Sequence, residues 1–458
     1  MLNIFGSHVG SSAEGSRIGR RQFMSIGSSI LGGIGLADML RLRGQAEQSG
    51  LERPPADKAV IVLWCHGGIS HLETYDVKTR GNSLFAPIRT VSPDIQVSSL
   101  LPKHARIADK LTILRSMSHD QADHGWGTRR FITGFGKELN TGDNGPSFHP
   151  ALECGVNRAL GMMRGGLPVS VNAGGFAGSP WRGPGIWGSQ YGVPEVNANA
   201  GGVQGLQNMA LRLPLDRMNN RRELLAELDR FHREIDASGQ SRAMDSFNRQ
   251  AWEVLVSNSV KKAFDVTQES PQVRARYGEG NENVLLARRL VEHGVNFVNV
   301  YIPGKPPGSD LPSFNWDDHA VNWDIDKVMR VRLPWFDHIV TTLIEDVYER
   351  GLDKKVLIVI ASEFGRTPRL DANKPGVLGR DHYPRAMSVV VSGGGRERGN
   401  VIGATDSHGA EPIADHCDPQ DFLASVYRYL GVDHRQVYAG IDNRPVPLTY
   451  GEPIAGLM

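Results

Sequence analysis

Ala59-Val60-Ile61-Val62-Leu63-Trp64-Cys65 is an apolar run of strand length, and it passes straight into His66-Gly67-Gly68. A strand sends successive side chains to opposite faces of its sheet. A run with no polar alternation therefore has no face left for water, which is the pattern of a strand covered on both sides in a parallel sheet. Similar runs recur at Leu111 to Leu114, Val295 to Ile302, Val356 to Ile360 and Met387 to Val391. Helical patterns separate them, at Arg221 to Ile235, Met244 to Ala263 and Val328 to Tyr348. The last carries Phe336, Ile339, Val340, Leu343, Ile344 and Val347 on one face, with Pro334 expected to mark a bend or a start. Strands alternating with helices predict an α/β fold with a mostly parallel central sheet flanked by helices.

Outward from this core, residues 165–265 read as an insertion. Residues 165–210 are rich in Gly, Asn, Pro and Trp, as in Trp181-Arg182-Gly183-Pro184-Gly185, and read as an ordered excursion able to wall a site or as a plain surface loop. The helical stretch 215–265 reads as a cap. Toward the start, Arg20-Arg21 precede a mildly apolar run from Phe23 to Leu36, closed by Arg41 and Arg43. That layout is a twin-arginine export signal. The run is shorter than the ~20 residues that cross a bilayer. Residues 1–56 are therefore expected to be signal and linker, cleaved or retained as an anchor, and residues 57–458 the folded domain. The expected location is periplasmic or otherwise extracytoplasmic, with no other transmembrane span.

The chain of 458 residues is 40% apolar, enough for a sizeable core, and its net charge of +1 gives no basic surface for nucleic acid. Three cysteines, Cys65, Cys154 and Cys417, allow at most one disulfide. No P-loop, G-x-S-x-G elbow or strand-linked G-x-G-x-x-G is present.

In open α/β sheets, ligands bind beyond the carboxyl ends of the strands. The loops after these runs carry His66, then His119, Asp123 and His124, then Asp317, Asp318 and His319, then Glu363 and Arg366; Arg380, Asp381 and His382 precede the last run. Five such loops on one edge suit a divalent metal, with zinc, manganese or iron favoured by the mix of imidazole and carboxylate, as one ion or two. The metal candidates are His66, Asp317, His319, Glu363, Asp381 and His382. The competing reading is a buried ion-pair network in which Arg366 and Arg380 neutralise the acids. His71, His104, His149, His293, His338 and His416 read as structural or exposed. Gly393-Gly394-Gly395 reads as a tight turn more readily than as an anion cradle.

Glu363-Phe364-Gly365-Arg366-Thr367-Pro368, Gly379-Arg380-Asp381-His382-Tyr383-Pro384, Gly393-Gly394-Gly395 and Gly403-Ala404-Thr405-Asp406, with His66-Gly67-Gly68 and Thr133-Gly134, resemble the exported domain-of-unknown-function 1501 family. The resemblance implies an alkaline-phosphatase-like, sulfatase-like fold. It also implies site positions. His66 stands where that superfamily has a metal-binding Asp, Asp317 and His319 match an Asp and a His loosely, Glu363-Phe364 replaces an Asp-His pair, and His382 matches a final His. The sulfatase nucleophile position, nine residues before Thr133, falls on His124. No Ser, Thr or Cys stands there, so the expected attacking group is a metal-bound water. His124 and His119 are then candidates to carry protons, with Arg366 as a catalytic candidate beside them. Arg129 and Arg380, like Arg366, are candidates to grip an anionic ester. The expected function is a metal-dependent hydrolase of phosphate or sulfate esters acting on an anionic ester or glycan. The alternative is a non-catalytic metal- or glycan-binding envelope protein on the same fold. An isomerase or mutase is disfavoured by export.

Overall fold

Strand β1 is Ala59–Trp64, and every residue in it is buried. Ala59, Ile61 and Leu63 enter one apolar cluster, while Val60, Val62 and Trp64 enter another on the opposite face. The run is unalternated because both faces are core. Burying such aliphatic side chains stabilises by about 1.5–3 kcal/mol each. In the computed structural model the described residues are 57–458, except 80–82, 138–146, 165, 176–180, 200–201, 205–257 and 322. All fall in one compact unit. The expected export signal and linker, residues 1–56, lie outside the described residues, as does the helix expected at Arg221 to Ile235. Of that expected at Met244 to Ala263 only the end is described, within the helix Asn258–Phe264.

The other strands of the central sheet are β2 (Leu111–Met117), β3 (Ser170–Ala173), β4 (Glu195–Asn199), β5 (Gly202–Gln204), β6 (Phe297–Tyr301), β7 (Val356–Ala361), β8 (Met387–Gly393) and β9 (Asn400–Ile402). Their order is β9-β2-β8-β7-β1-β6-β3-β4-β5. β1 is parallel to β6 and β7, β6 to β3, β3 to β4, and β9 to β2. The sheet is mostly parallel, as expected, with two departures. β5 closes one edge as an antiparallel hairpin with β4. β8 is antiparallel to both β7 and β2.

The reversal of β8 matters for the site. A reversed strand brings what precedes it, Asp381-His382, to the edge where its parallel neighbours end. It carries Gly393-Gly394-Gly395 to the other edge, where the amide of Gly394 donates to Val356 O at the start of β7. Those glycines form a tight turn there, each with φ near +70°.

Helices cover both faces. On one lie α3 (Glu282–Glu292) and α4 (Ile325–Glu349), the latter burying all six of its expected apolar residues. On the other lie α1 (His124–Thr133), α2 (Leu152–Leu160) and α5 (Pro419–Tyr429), through Phe131, Leu152, Val156, Phe422 and Val426. Pro334 neither starts α4 nor breaks it. The helix begins at Ile325, capped by Asp324, and runs through the proline. Burial of Met329, Leu333 and Phe336 around it offsets a cost of about 3 kcal/mol.

The Gly- and Asn-rich excursion is also more regular than its composition implies, since β3, β4 and β5 extend the sheet with it. Cys65, Cys154 and Cys417 are all buried and free. Among the described residues, no helix is long and apolar enough to cross a membrane.

Candidate metal centre

The carboxyl ends of β1 and β7 lie side by side, so the residues that leave them meet. β1 delivers His66, Gly67 and Gly68, and β7 delivers Ser362 and Glu363. Gly67 turns at φ +116°, and a β-carbon there would stand 2.5 Å from the amide nitrogen of Asp317. Only glycine lets the loop after β6 come this close. Its amide donates to Glu363 Oε1 at 2.8 Å. The same oxygen faces His124 Nδ1 at 2.8 Å and His66 Nδ1 at 3.1 Å. Glu363 is fully buried, and its second oxygen, Oε2, has no hydrogen-bond partner among the described residues. Burial would raise its pKa, but His66 and His124 outweigh that and hold the carboxyl well below the usual range.

His124 is the first residue of α1. Asp123 caps that helix by accepting from the amides of Gly125 and Trp126. This fixes the His124 backbone, and the ring lies against His382 and Phe364, with centroids 4.2 and 5.4 Å away. Burial pushes its pKa down, yet the carboxylates of Asp317 and Glu363 prevail and hold it at about 9.

A second group gathers on Asp317 Oδ1. His319 Nε2 and His382 Nε2 each stand 2.9 Å from it, His124 Nε2 3.3 Å, and Arg366 Nη2 2.7 Å. Burial acts to raise the Asp317 pKa; the three histidines and Arg366 drive it far below the carboxylate range.

The outer partners set the tautomers. His382 Nδ1 donates to Ala122 O at 2.6 Å, and His319 Nδ1 donates to Asp381 Oδ1 at 2.6 Å. Each ring thus turns Nε2 inward, and these two nitrogens are 2.9 Å apart. As neutral rings they point two lone pairs at each other and at a carboxylate oxygen. Burial lowers the His382 pKa, favouring the neutral ring. Such convergence repels unless a cation lies within it. Imidazoles fixed by an outer carboxylate or carbonyl, with the free nitrogen turned inward, are what a metal site requires. The residues present fit a divalent ion. The clusters His66–His124–Glu363 and His124–Asp317–His382 each bring three ligand atoms within 4.8 Å of one another.

Several expected roles change. Asp381 supports His319 from outside, and with a side chain 53% exposed it lies at the rim. His119 donates from Nε2 to Glu363 O at 2.6 Å and accepts from the Gln121 amide on Nδ1. Burial depresses its pKa to about 4, so it positions the Glu363 backbone as a neutral ring. Arg380 is buried and binds both oxygens of Glu73 at 2.8 and 3.0 Å, together with the carbonyls of Thr367 and Pro368. Arg366 is buried too. It donates to Gly67 O, Gly68 O, Trp316 O and Arg380 O as well as Asp317, and so ties three site loops together. Here the ion-pair reading competes successfully: these two guanidiniums act within the fold. Arg129 is buried on α1, stacked over Trp126 at 4.3 Å. His71 and His104 are structural as expected, on Gly409 O and Asp337.

Residues not anticipated are Gly67 as a donor and Ala122 as an outer acceptor. Trp181 is another, its ring 5.8 Å from His66, where the excursion does wall the site. The Trp-rich loop was the only signal for the last. Backbone donors and acceptors leave no mark in side-chain chemistry.

Among curated proteins no relative matches the chain. Among solved structures it is similar to the PsFucS1 sulfatase from Pseudoalteromonas sp., with 12% identity, TM-score 0.38, and coverage of 85% of this chain and 70% of that one. It is similar to the lipoteichoic acid synthase LtaP from Listeria monocytogenes, with 10% identity, TM-score 0.37, and coverage of 84% and 75%. It is also similar to the alkaline phosphatase from the Antarctic bacterium TAB5, with 11% identity, TM-score 0.35, and coverage of 83% and 99%. The model of the family described as "Protein of unknown function (DUF1501)" matches residues 57–458, and the chain belongs to that family.

Proposed function

We propose that this protein is a metal-dependent hydrolase of phosphate or sulfate esters that works outside the cytoplasm. One observation carries the reading: the inward Nε2 atoms of His319 and His382, 2.9 Å apart and each 2.9 Å from Asp317 Oδ1, form a donor set that calls for a cation. His319, His382 and Asp317 would hold a divalent ion, with Glu363, His66 and His124 beside them. The imidazole-rich set suits zinc, manganese or iron. When bound, such an ion polarises a phosphoryl or sulfuryl oxygen and acidifies water.

The chain's own residues prepare the site. Asp381 and Ala122 O fix two ring orientations, Arg366 fixes the Asp317 carboxylate, and the His119 side chain fixes the Glu363 backbone. Imidazole at position 124 makes direct attack by water fit this site better than a covalent intermediate on that residue.

A second reading, a non-catalytic metal- or glycan-binding envelope protein, draws on a different observation. Arg129, Arg366 and Arg380 are all fully buried, so the guanidiniums expected to grip an anion are inside the fold.

Metal analysis of the purified protein, then a screen of aryl phosphates and sulfates with the metal restored, tests the proposal. The expected result is bound transition metal, and turnover lost in a His319→Ala, His382→Ala double variant that stays folded. Metal without turnover on any ester leaves the binding reading. Protein that takes up no metal overturns the hydrolase and the metal-binding reading and leaves glycan binding alone.

A further inference from the structure

The histidines of the centre are not equivalent. His319 and His382 each spend one nitrogen on an outer acceptor and turn one inward, which is a ligand to a single ion. His124 has no outer acceptor. Its Nδ1 is 2.8 Å from Glu363 Oε1 and its Nε2 is 3.3 Å from Asp317 Oδ1, and among the described residues its ring nitrogens pair with nothing else. One nitrogen therefore faces the cluster with His66 and Glu363, and the other faces the cluster with Asp317 and His382. We infer that His124 is a shared ligand, one imidazole ring joining two metal ions.

The inference rests on the metal reading above and goes beyond it. Stripped of both ring protons, an imidazole carries two in-plane lone pairs that diverge, so a ring cannot give both to one ion. A ring with each nitrogen in a different ligand cluster implies two ions, and in that form both ring protons have left to solvent. Each cluster also points to a cation by an independent feature. On the first side, the buried Glu363 Oε2 has no hydrogen-bond partner among the described residues. On the second, the inward nitrogens of His319 and His382 converge on one carboxylate oxygen.

The ring is held for this task. Its backbone starts α1 under the Asp123 cap, and His382 and Phe364 pack around it. Position 124 is also where the family resemblance places a nucleophile. A bridging imidazole there is a ligand where an attacking group was expected.

Copper(II) is the probe, because two copper(II) ions joined by a deprotonated imidazole couple magnetically and lose spin-resonance intensity. The metal-free full chain is titrated with copper(II). Bound metal is counted after desalting, and the integrated low-temperature electron spin resonance is measured. The expected result is two ions per chain with an intensity far below two spins. In His66→Ala, one ion and a full single-spin signal are expected. In His124→Ala, any remaining copper should be uncoupled. Two ions at full two-spin intensity in the wild type would overturn the shared ligand and leave the metal reading intact. One ion per chain would do the same. No bound copper, with no zinc or manganese binding either, would overturn the metal reading itself. The wild-type measurement stands without the variants, so a misfolded variant does not shield the inference.

Discussion

Two parts of this molecule concentrate ionisable side chains. One is the imidazole and carboxylate centre at the sheet edge. The other lies where α3 and α4 pack, with Glu269, Glu292 and Asp346 set against Arg288, Arg289 and Arg350. Arg288 is fully buried and within 2.6–3.0 Å of all three acids. Arg350 reaches the same three acids at 2.8–3.2 Å, and Tyr277 donates to Asp346 at 2.8 Å. Three carboxylates meet three guanidiniums there, and the charge closes within the protein. At the sheet edge it does not close in that way. Arg366 is the permanent cation against Asp317, the His124 ring is held charged between Asp317 and Glu363, and the inward nitrogens of His319 and His382 are the ones that present lone pairs. Density of charge is common to both regions; the sheet edge differs in directing acceptors at acceptors. That distinction separates a network that holds helices together from one that awaits an ion.

The largest expected effect falls on the closed network. Arg288→Ala strips a buried cation from three acids and should cost about 3–5 kcal/mol of folding stability. Denaturant unfolding measures it, and metal content per folded chain should not change. A stability loss under ~1 kcal/mol, in the range of exposed pairs, would mean this network is not the closed structural unit described.

The converse test uses the sheet edge. Saturating the protein with zinc at ~100 to ~1,000 times Kd should raise its stability by about 3–4 kcal/mol, and a chelator should take that gain away. Arg288→Ala should show the same metal-dependent gain from its lower baseline. Equal melting temperatures with and without metal would place the sheet edge in the same category as the helix network.

The contrast also explains what could be read from the sequence. β1 and β7 were legible because burial on both faces removes alternation, and nothing but core accounts for that. The direction of β8 was not, since Met387 to Val391 reads equally apolar either way. β3 was hidden in a Gly- and Asn-rich stretch because short strands such as Ser170–Ala173 carry polar residues, here Asn172. The imidazole loops were visible because they border strands, His66, His124 and His319 after one and His382 before one. Which of two adjacent acids enters the site was not: Asp317 faces the histidines, while Asp318 turns into the core against Arg332 at 2.8 Å. That choice is made by the loop backbone. Arg380 looked like an anion grip because its partner Glu73 lies 307 positions away, and such pairing appears only once the chain is folded.

A finer test probes the outer layer of the metal centre. Asp381→Asn keeps an acceptor for His319 but removes its charge, and should weaken metal binding by about 10–100-fold. Because Asp381 is half exposed, metal-free stability should barely move. Asp346→Asn, inside the closed network, should do the reverse and lower stability with metal affinity unchanged. Calorimetric titration of both variants separates the two outcomes, and equal loss of affinity in both would erase the distinction.

The smallest effect is a pH dependence confined to the closed network. Burial would raise the pKa of Glu269 from its usual 4.5, but Arg288 and Arg289 outweigh it and hold the carboxyl at about 2. A carboxyl depressed in the folded state contributes stability that is present above the unfolded value and lost as pH falls through the folded one. The contribution of Glu269 should therefore be complete above its unfolded value of 4.5 and fade as pH drops toward 2. The measurement is the difference in unfolding free energy between the wild type and Glu269→Gln across that window, on metal-free protein. Taking the difference cancels the titration of Asp317 and Glu363, which are depressed in both proteins. The curve should converge toward its acid limit as pH falls, and added zinc should leave the shape of a second such curve unchanged. A flat difference would show that the guanidiniums do not hold Glu269 as a charged partner, and with it would go the claim that this region closes its own charge.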